Sequence, residues 1–196
     1  MSIDIYDYFD EDEDQEDCLL LVLDEDYKSD FLSIFKPFFK SCYISNKDLE
    51  ESIEAGLSHE ETLGARLPNR GNIKSGDFGE ILTTFILENL ESPAEGIKKW
   101  RWKEAKDSPV HKIDVVLSSV EDIENPSKSD CLILGEVKGK ATDLGYSQLQ
   151  KAIDDIKGEK QAKIAKTIIW AHDRAIKDKD LVLKKRLERF IKSTED

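Results

Sequence analysis

The sequence predicts an α/β protein, and three observations carry that prediction. An amphipathic helix over residues 76–90 is followed by three short apolar strand candidates, and two further apolar helical stripes close the chain. The 196 residues fit one domain of the usual 100–200 residues. Within that domain, residues 1–61 form an acidic N-terminal segment packing on a core of residues 62–196.

Taken in order, residues Asp10 to Asp17 are acidic at every position except Gln15, so this stretch predicts a solvated arm or loop. Cys18–Leu23 is apolar, short and bounded by acid, which suits a buried strand. Phe31, Ile34, Phe35, Phe38 and Phe39 recur at helical spacing, with Pro37 interrupting the pattern. Asn46 can cap a helix running to about Gly56, with Leu49 and Ile53 on one face. Gly56 to Gly76 reads as loop.

In the 76–90 helix, Phe78, Ile81, Leu82, Phe85, Ile86 and Leu90 share a face, and Asp77 suits the positive end of the helix dipole. Lys99-Trp100-Arg101-Trp102-Lys103 alternates as a strand would. Ile113–Val116 and Cys131–Lys138 are the second and third strands. A helix over Tyr146–Lys157 follows. Gln161–Ile176 fits either a long helix or a helix broken by a strand at Thr167–Trp170. Asp180 can cap a last helix in which Leu183, Leu187, Phe190 and Ile191 align.

Composition narrows the function. With 39% hydrophobic and 36% charged residues the chain is globular. Its longest apolar run is far short of the roughly 20 residues that span a bilayer. The N-terminus lacks the pattern of a secretory signal, which points to the cytoplasm. Cys18, Cys42 and Cys131 show no metal-binding spacing and read as reduced core residues. His59 and His172 lack ligand partners at metal spacing, and His111 reads as structural or as a phosphate contact.

The net charge of −13 argues at first against an anionic partner. By segment the picture differs. Residues 1–61 hold 19 acids and 4 bases, a net of −15, whereas residues 62–196 hold 23 acids and 25 bases, a net of +2. The acidic segment can therefore compete with DNA, or dock on a basic partner, while basic clusters beside the proposed strands meet phosphate. Lys99, Arg101, Lys103, Lys112 and Lys140 are the candidate nucleic-acid contacts. Trp100 or Trp102 could stack on a base, or both could be core.

Asp114 and Glu136-Val137-Lys138 carry the candidate chemistry. Each carboxylate lies near the end of an apolar strand, where a charge needs a partner. Glu136 and Lys138 are two apart and share a strand face. Two carboxylates and a backbone carbonyl suit Mg²⁺, and a lysine on the same face can orient water or stabilise a phosphate. Glu80, on the preceding helix, lies at the site rim.

The ordered set Gly76-Asp77-Phe78-Gly79-Glu80, Ile113-Asp114, Gly135-Glu136-Val137-Lys138 and a helix with Gln148 resembles the PD-(D/E)xK restriction-endonuclease-like superfamily over about residues 70–158. The resemblance implies a restriction-endonuclease-like core, a mixed central sheet flanked by helices, and Mg²⁺-dependent hydrolysis of DNA, with Mn²⁺ able to substitute. Asp114, Glu136 and the Val137 carbonyl would hold the metal. Lys138 would position water, Glu80 would support the metal shell and Gln148 would steady the site. The superfamily's proline before the aspartate is Ile113 here.

Leu67-Pro68-Asn69-Arg70-Gly71, Pro109-Val110-His111-Lys112 and Leu134-Gly135 extend the likeness. With them the chain is similar to the nuclease subunit of Hachiman anti-phage defence systems, which implies a superfamily 2 helicase partner and a longer C-terminus. Two other readings stay open on sequence: an acidic DNA-mimic inhibitor, and a catalytically silent assembly subunit.

Overall fold

A computed structural model describes residues 3–12, 19–90, 94–110, 112–139, 147–158 and 161–191. The chain is mixed α/β, with seven α-helices and two antiparallel sheets among the described residues.

The acidic segment opens with a hairpin. Strand β1 (Phe9–Asp12) pairs with β2 (Leu20–Leu23), so Asp10 lies in a strand and not in an arm; residues 13–18, with Cys18, lie outside the described residues. The strand predicted as buried is half exposed, because a two-stranded ribbon covers only one face; Val22 is 52% exposed. Helix α1 (Lys28–Ser41) runs unbroken through Pro37 and buries Phe31 and Phe35. These rings stack at 5.7 Å and meet Phe85 edge-on, joining the acidic segment to the same core as Ile81 and Trp100.

Ser45 caps α2 (Asn46–Glu54), one residue before the predicted cap. The predicted loop from Gly56 holds a third helix, α3 (His59–Arg66), opened by a Ser58–Glu61 capping box. Helix α4 (Gly71–Leu90) begins earlier than predicted and carries Gly76 and Gly79 inside it. Its start is held from a distance, since Asp107 accepts from the backbone N–H groups of Asn69 and Arg70 at 2.5 and 2.9 Å. Those bonds pull the Asp107 carboxyl below its ordinary range, the Arg70 bond most strongly.

Asp107→Ala is therefore expected to lower the melting temperature by a few degrees. A carboxyl with a depressed folded pKa stabilises above its unfolded value and loses that contribution as the pH falls through the folded one. The gap between wild type and variant should close in acid, which thermal melts across pH measure.

Strand β3 (Ala94–Gly96), β4 (Val115–Ser119) and β5 (Cys131–Gly135) form the second sheet in the order β3-β4-β5, with β4 central and buried. All its pairings are antiparallel, so the described sheet is not the mixed one expected. Lys99–Trp102, predicted as a strand, is a 3₁₀ turn, because Trp100 turns into the core while Trp102 turns toward Ile164 and Trp170. Helix α5 (Ser147–Gly158) matches expectation; α6 (Gln161–Asp178) is helical throughout, which settles the ambiguous Thr167–Trp170 stretch. Helix α7 (Leu181–Ile191) is capped by Asp180, whose Oδ1 accepts from Leu183 N at 3.0 Å. Ile168, Ala171 and Leu187 from these last helices pack with Ile113 and Val116 of the sheet side. No helix among the described residues is long and apolar enough to cross a membrane.

Candidate active site

The register of the β4–β5 ladder places the two carboxylates. Val115 pairs with Gly135, so one step further Asp114 and Glu136 stand at the same end of the ladder, beside neighbouring strands. The Asp114 carboxylate closes this end by accepting from Val137 N through Oδ2 at 3.0 Å. At position 135 an added Cβ would crowd the Val115 Cβ at 3.1 Å, so glycine eases the close pairing there.

The strand expected to run to Lys138 ends at Gly135, and past it the side chains of Glu136 and Lys138 meet in an ion pair. Lys138 Nζ lies 2.5 Å from Glu136 Oε1 and 2.7 Å from Asp155 Oδ2 of α5. Glu136 is 11% exposed and Lys138 26%. The bonds to Asp155 and Glu136 push the Lys138 ammonium pKa well above its ordinary value, so it remains a cation at neutral pH. Asp155 was not foreseen: it sits on a helix with no motif, and only the fold brings it to Lys138.

Helix α4 reaches the site through Gly79, where an added Cβ would meet Val137 Cγ1 at 3.3 Å. That approach carries Glu80 to the sheet. Its Oε2 lies 3.0 Å from Lys99 Nζ, and the same ammonium donates to Ile113 O at 2.8 Å, next to Asp114. Burial raises the Glu80 pKa; Lys99 opposes the rise, while Asp114 and Asp77 add to it. One turn earlier Asp77, expected in the first turn, is instead buried in mid-helix. Its Oδ2 accepts from Tyr43 Oη at 2.7 Å and Lys103 Nζ at 2.5 Å.

These bonds correct part of the expected basic surface. Lys99 is 4% exposed and held by Glu80, and the Lys103 side chain, also 4% exposed, is held by Asp77. Arg101 Nε donates to Ser41 O at 2.8 Å. All three neutralise or satisfy internal groups, because the turn aims them inward where a strand would have alternated them. Trp100, 2% exposed, is core and offers no face to a base. Lys112 is partly exposed above the Trp170 ring, at 5.1 Å. Lys140 and His111 lie outside the described residues, and Gln148 falls in the first turn of α5.

Cys42 is buried and its thiol is pushed up to about 12 by that burial, whereas Cys131, read as core, is exposed at the start of β5. His172 faces Glu188 at 3.4 Å, a pairing between α6 and α7.

Searches of curated proteins and of solved structures found no match. The HamA family model matches residues 2–196. That match takes in the acidic hairpin, the sheet with Asp114 and Glu136, and the closing helices, so the chain belongs to the HamA family, which is associated with Hachiman anti-phage defence.

Proposed function

We propose that this protein is a Mg²⁺-dependent nuclease with a restriction-endonuclease-like core, hydrolysing DNA phosphodiester bonds as the effector of a Hachiman system with a superfamily 2 helicase partner. The observation that carries the reading is Lys138 seated between Glu136 and Asp155 at the ladder end that Asp114 closes.

The donor set suits a hard cation. Asp114, Glu136 and the Val137 carbonyl would hold Mg²⁺ through oxygen alone. Among the described residues no group of three His, Cys, Asp or Glu side chains is placed to hold a metal. An all-oxygen set of two carboxylates and a carbonyl is the kind that Mg²⁺ takes, with waters completing its shell. When bound, Mg²⁺ supplies charge stabilisation for phosphoryl oxygens and activates water.

The chain's own groups do the rest. The Val137 N–H fixes the Asp114 carboxylate. Lys138, protonated at neutral pH, donates toward attacking water or a phosphoryl oxygen and is no base. Glu80, whose pKa is raised by burial, backs the site from α4. The family's association with defence systems that include a helicase supports the partner.

The test is plasmid cleavage with Mg²⁺, with and without chelator, by wild type and Glu136→Ala. The expected result is cleavage by wild type alone, abolished by chelator; undiminished Mg²⁺-dependent nicking by pure Glu136→Ala would sink the proposal.

A further inference from the structure

A cavity of about 370 Å³ opens where the Lys99–Trp102 turn meets α6, lined by Trp102, Trp170, Lys112, Arg174, Glu104 and residues 108–110 among others. Trp102 and Trp170 meet nearly at right angles, with ring centroids 5.3 Å apart and an interplanar angle of 83°. They make a corner of two flat walls. The Trp102 ring is pinned there, because its Nε1 donates to Asp178 Oδ2 at 2.6 Å.

Two cations lie over the Trp170 ring, on flexible stems that an entering base can displace toward its phosphate. Lys112 Nζ lies 5.1 Å and the Arg174 guanidinium carbon 5.8 Å from the Trp170 ring centre. Trp170 and Arg174 are four apart on α6 and so share a helix face. Neither cation pairs with a carboxylate among the described residues, in contrast to Lys99 and Lys103 on the neighbouring turn. The exposed Glu104 is the acid of the lining. The 108–110 segment also lines the cavity, close in sequence to Asp114.

We propose that this corner binds one unpaired deoxynucleotide of a DNA strand. An aromatic wall takes a base face without regard to sequence, and cations beside it take the adjoining phosphate. A paired base would stay stacked in its duplex and could not enter the corner. Glu104 can accept a hydrogen bond from a base N–H, the imide in thymine or the amino group in other bases, while its charge keeps phosphate on the Lys112–Arg174 side. The inference rests on the nuclease reading only for the choice of DNA as the polymer. It adds Trp170 and Arg174 to the candidate contacts and gives Trp102 and Lys112 a shared ligand.

The test is binding of labelled oligothymidylate to the full chain in chelator, read by anisotropy and by quenching of tryptophan emission. Lys112→Ala and Arg174→Ala should each weaken binding about tenfold, and Trp170→Ala should also remove most of the quenching. Lys185→Ala, on α7 and paired with Glu124, should bind as wild type. Wild-type affinity in both Lys112→Ala and Arg174→Ala would overturn the proposal, as would tighter binding of blunt duplex than of single strand. Because the assay needs no cleavage, failure of the Glu136→Ala test would strike the nuclease reading and leave this result standing. Intact binding by the pocket variants would strike the pocket alone.

Discussion

Lys138→Ala is expected to lower Mg²⁺-dependent DNA cleavage at least about a hundredfold, the scale of removing one preorganised donor from a charged transition state. The fold should survive. Lys138 is a quarter exposed, and its partners can turn to water once it is gone: Asp155 is 53% exposed, and Glu136 stands at the end of the ladder. Thermal melting should therefore move little while the cleavage rate collapses. Lys138→Arg should recover only part of the rate, because a planar fork does not replace a point charge held by two carboxylates. The raised ammonium pKa adds a further constraint. Lys138 stays charged through neutral and mildly alkaline pH, so a rise of activity over that range has to come from another group. Cleavage by Lys138→Ala at the wild-type rate would remove Lys138 from the machinery.

The part of this site readable from sequence is the part governed by local periodicity. Two residues apart in extended chain means one face, and Glu136 and Lys138 do meet in an ion pair, although the strand itself stops at Gly135. Strand ends flanked by apolar runs locate Asp114 and Glu136, and the ladder register then brings them to the same end. The Gly76–Leu90 helix was legible from its apolar face, and Asp180 from its capping chemistry.

What periodicity does not encode is which way an irregular segment turns. Lys99 to Lys103 alternates basic and aromatic residues, and read as a strand it presents a cationic face. The chain instead winds into a 3₁₀ turn, since burial of Trp100 and the carboxylates of α4 both draw it inward. Asp77 and Glu80 lie three apart on α4 and so meet Lys103 and Lys99 on the same turn. A charge pattern on one element says nothing of a complementary pattern on a distant one. The missed α3 is a different failure: Ser58-x-x-Glu61 is a local signal for a helix start, obscured by the glycines and the proline around it.

The other large effect concerns Lys99, whose ammonium ties Glu80 to the carbonyl just before Asp114. Lys99→Met keeps the stem and removes the charge, leaving Glu80 buried beside Asp114 and Asp77 with no cation. Breaking one partner of a buried pair costs about 3 kcal/mol, which for a chain of this length lowers the melting temperature by roughly 10 °C. The pH dependence separates this cause from lost packing. In the variant, burial and the neighbouring carboxylates still raise the Glu80 pKa, and the Lys99 contribution that lowered it is gone. A carboxyl with a raised folded pKa keeps its full stability contribution below the unfolded value, about 4.3, and loses it as the pH rises through the folded value. The deficit of Lys99→Met should therefore be small in acid and grow toward neutrality. Glu80→Gln on the same background should return much of the lost stability at neutral pH and flatten the pH dependence, since no buried charge remains. A deficit equal at both ends of the pH range, and untouched by Glu80→Gln, would mean that the bond to Ile113 and the packing of the stem matter, and that the ion pair does not. Both residues can be weighed this way in the intact chain by melting alone, so the result holds whether or not the protein cuts DNA.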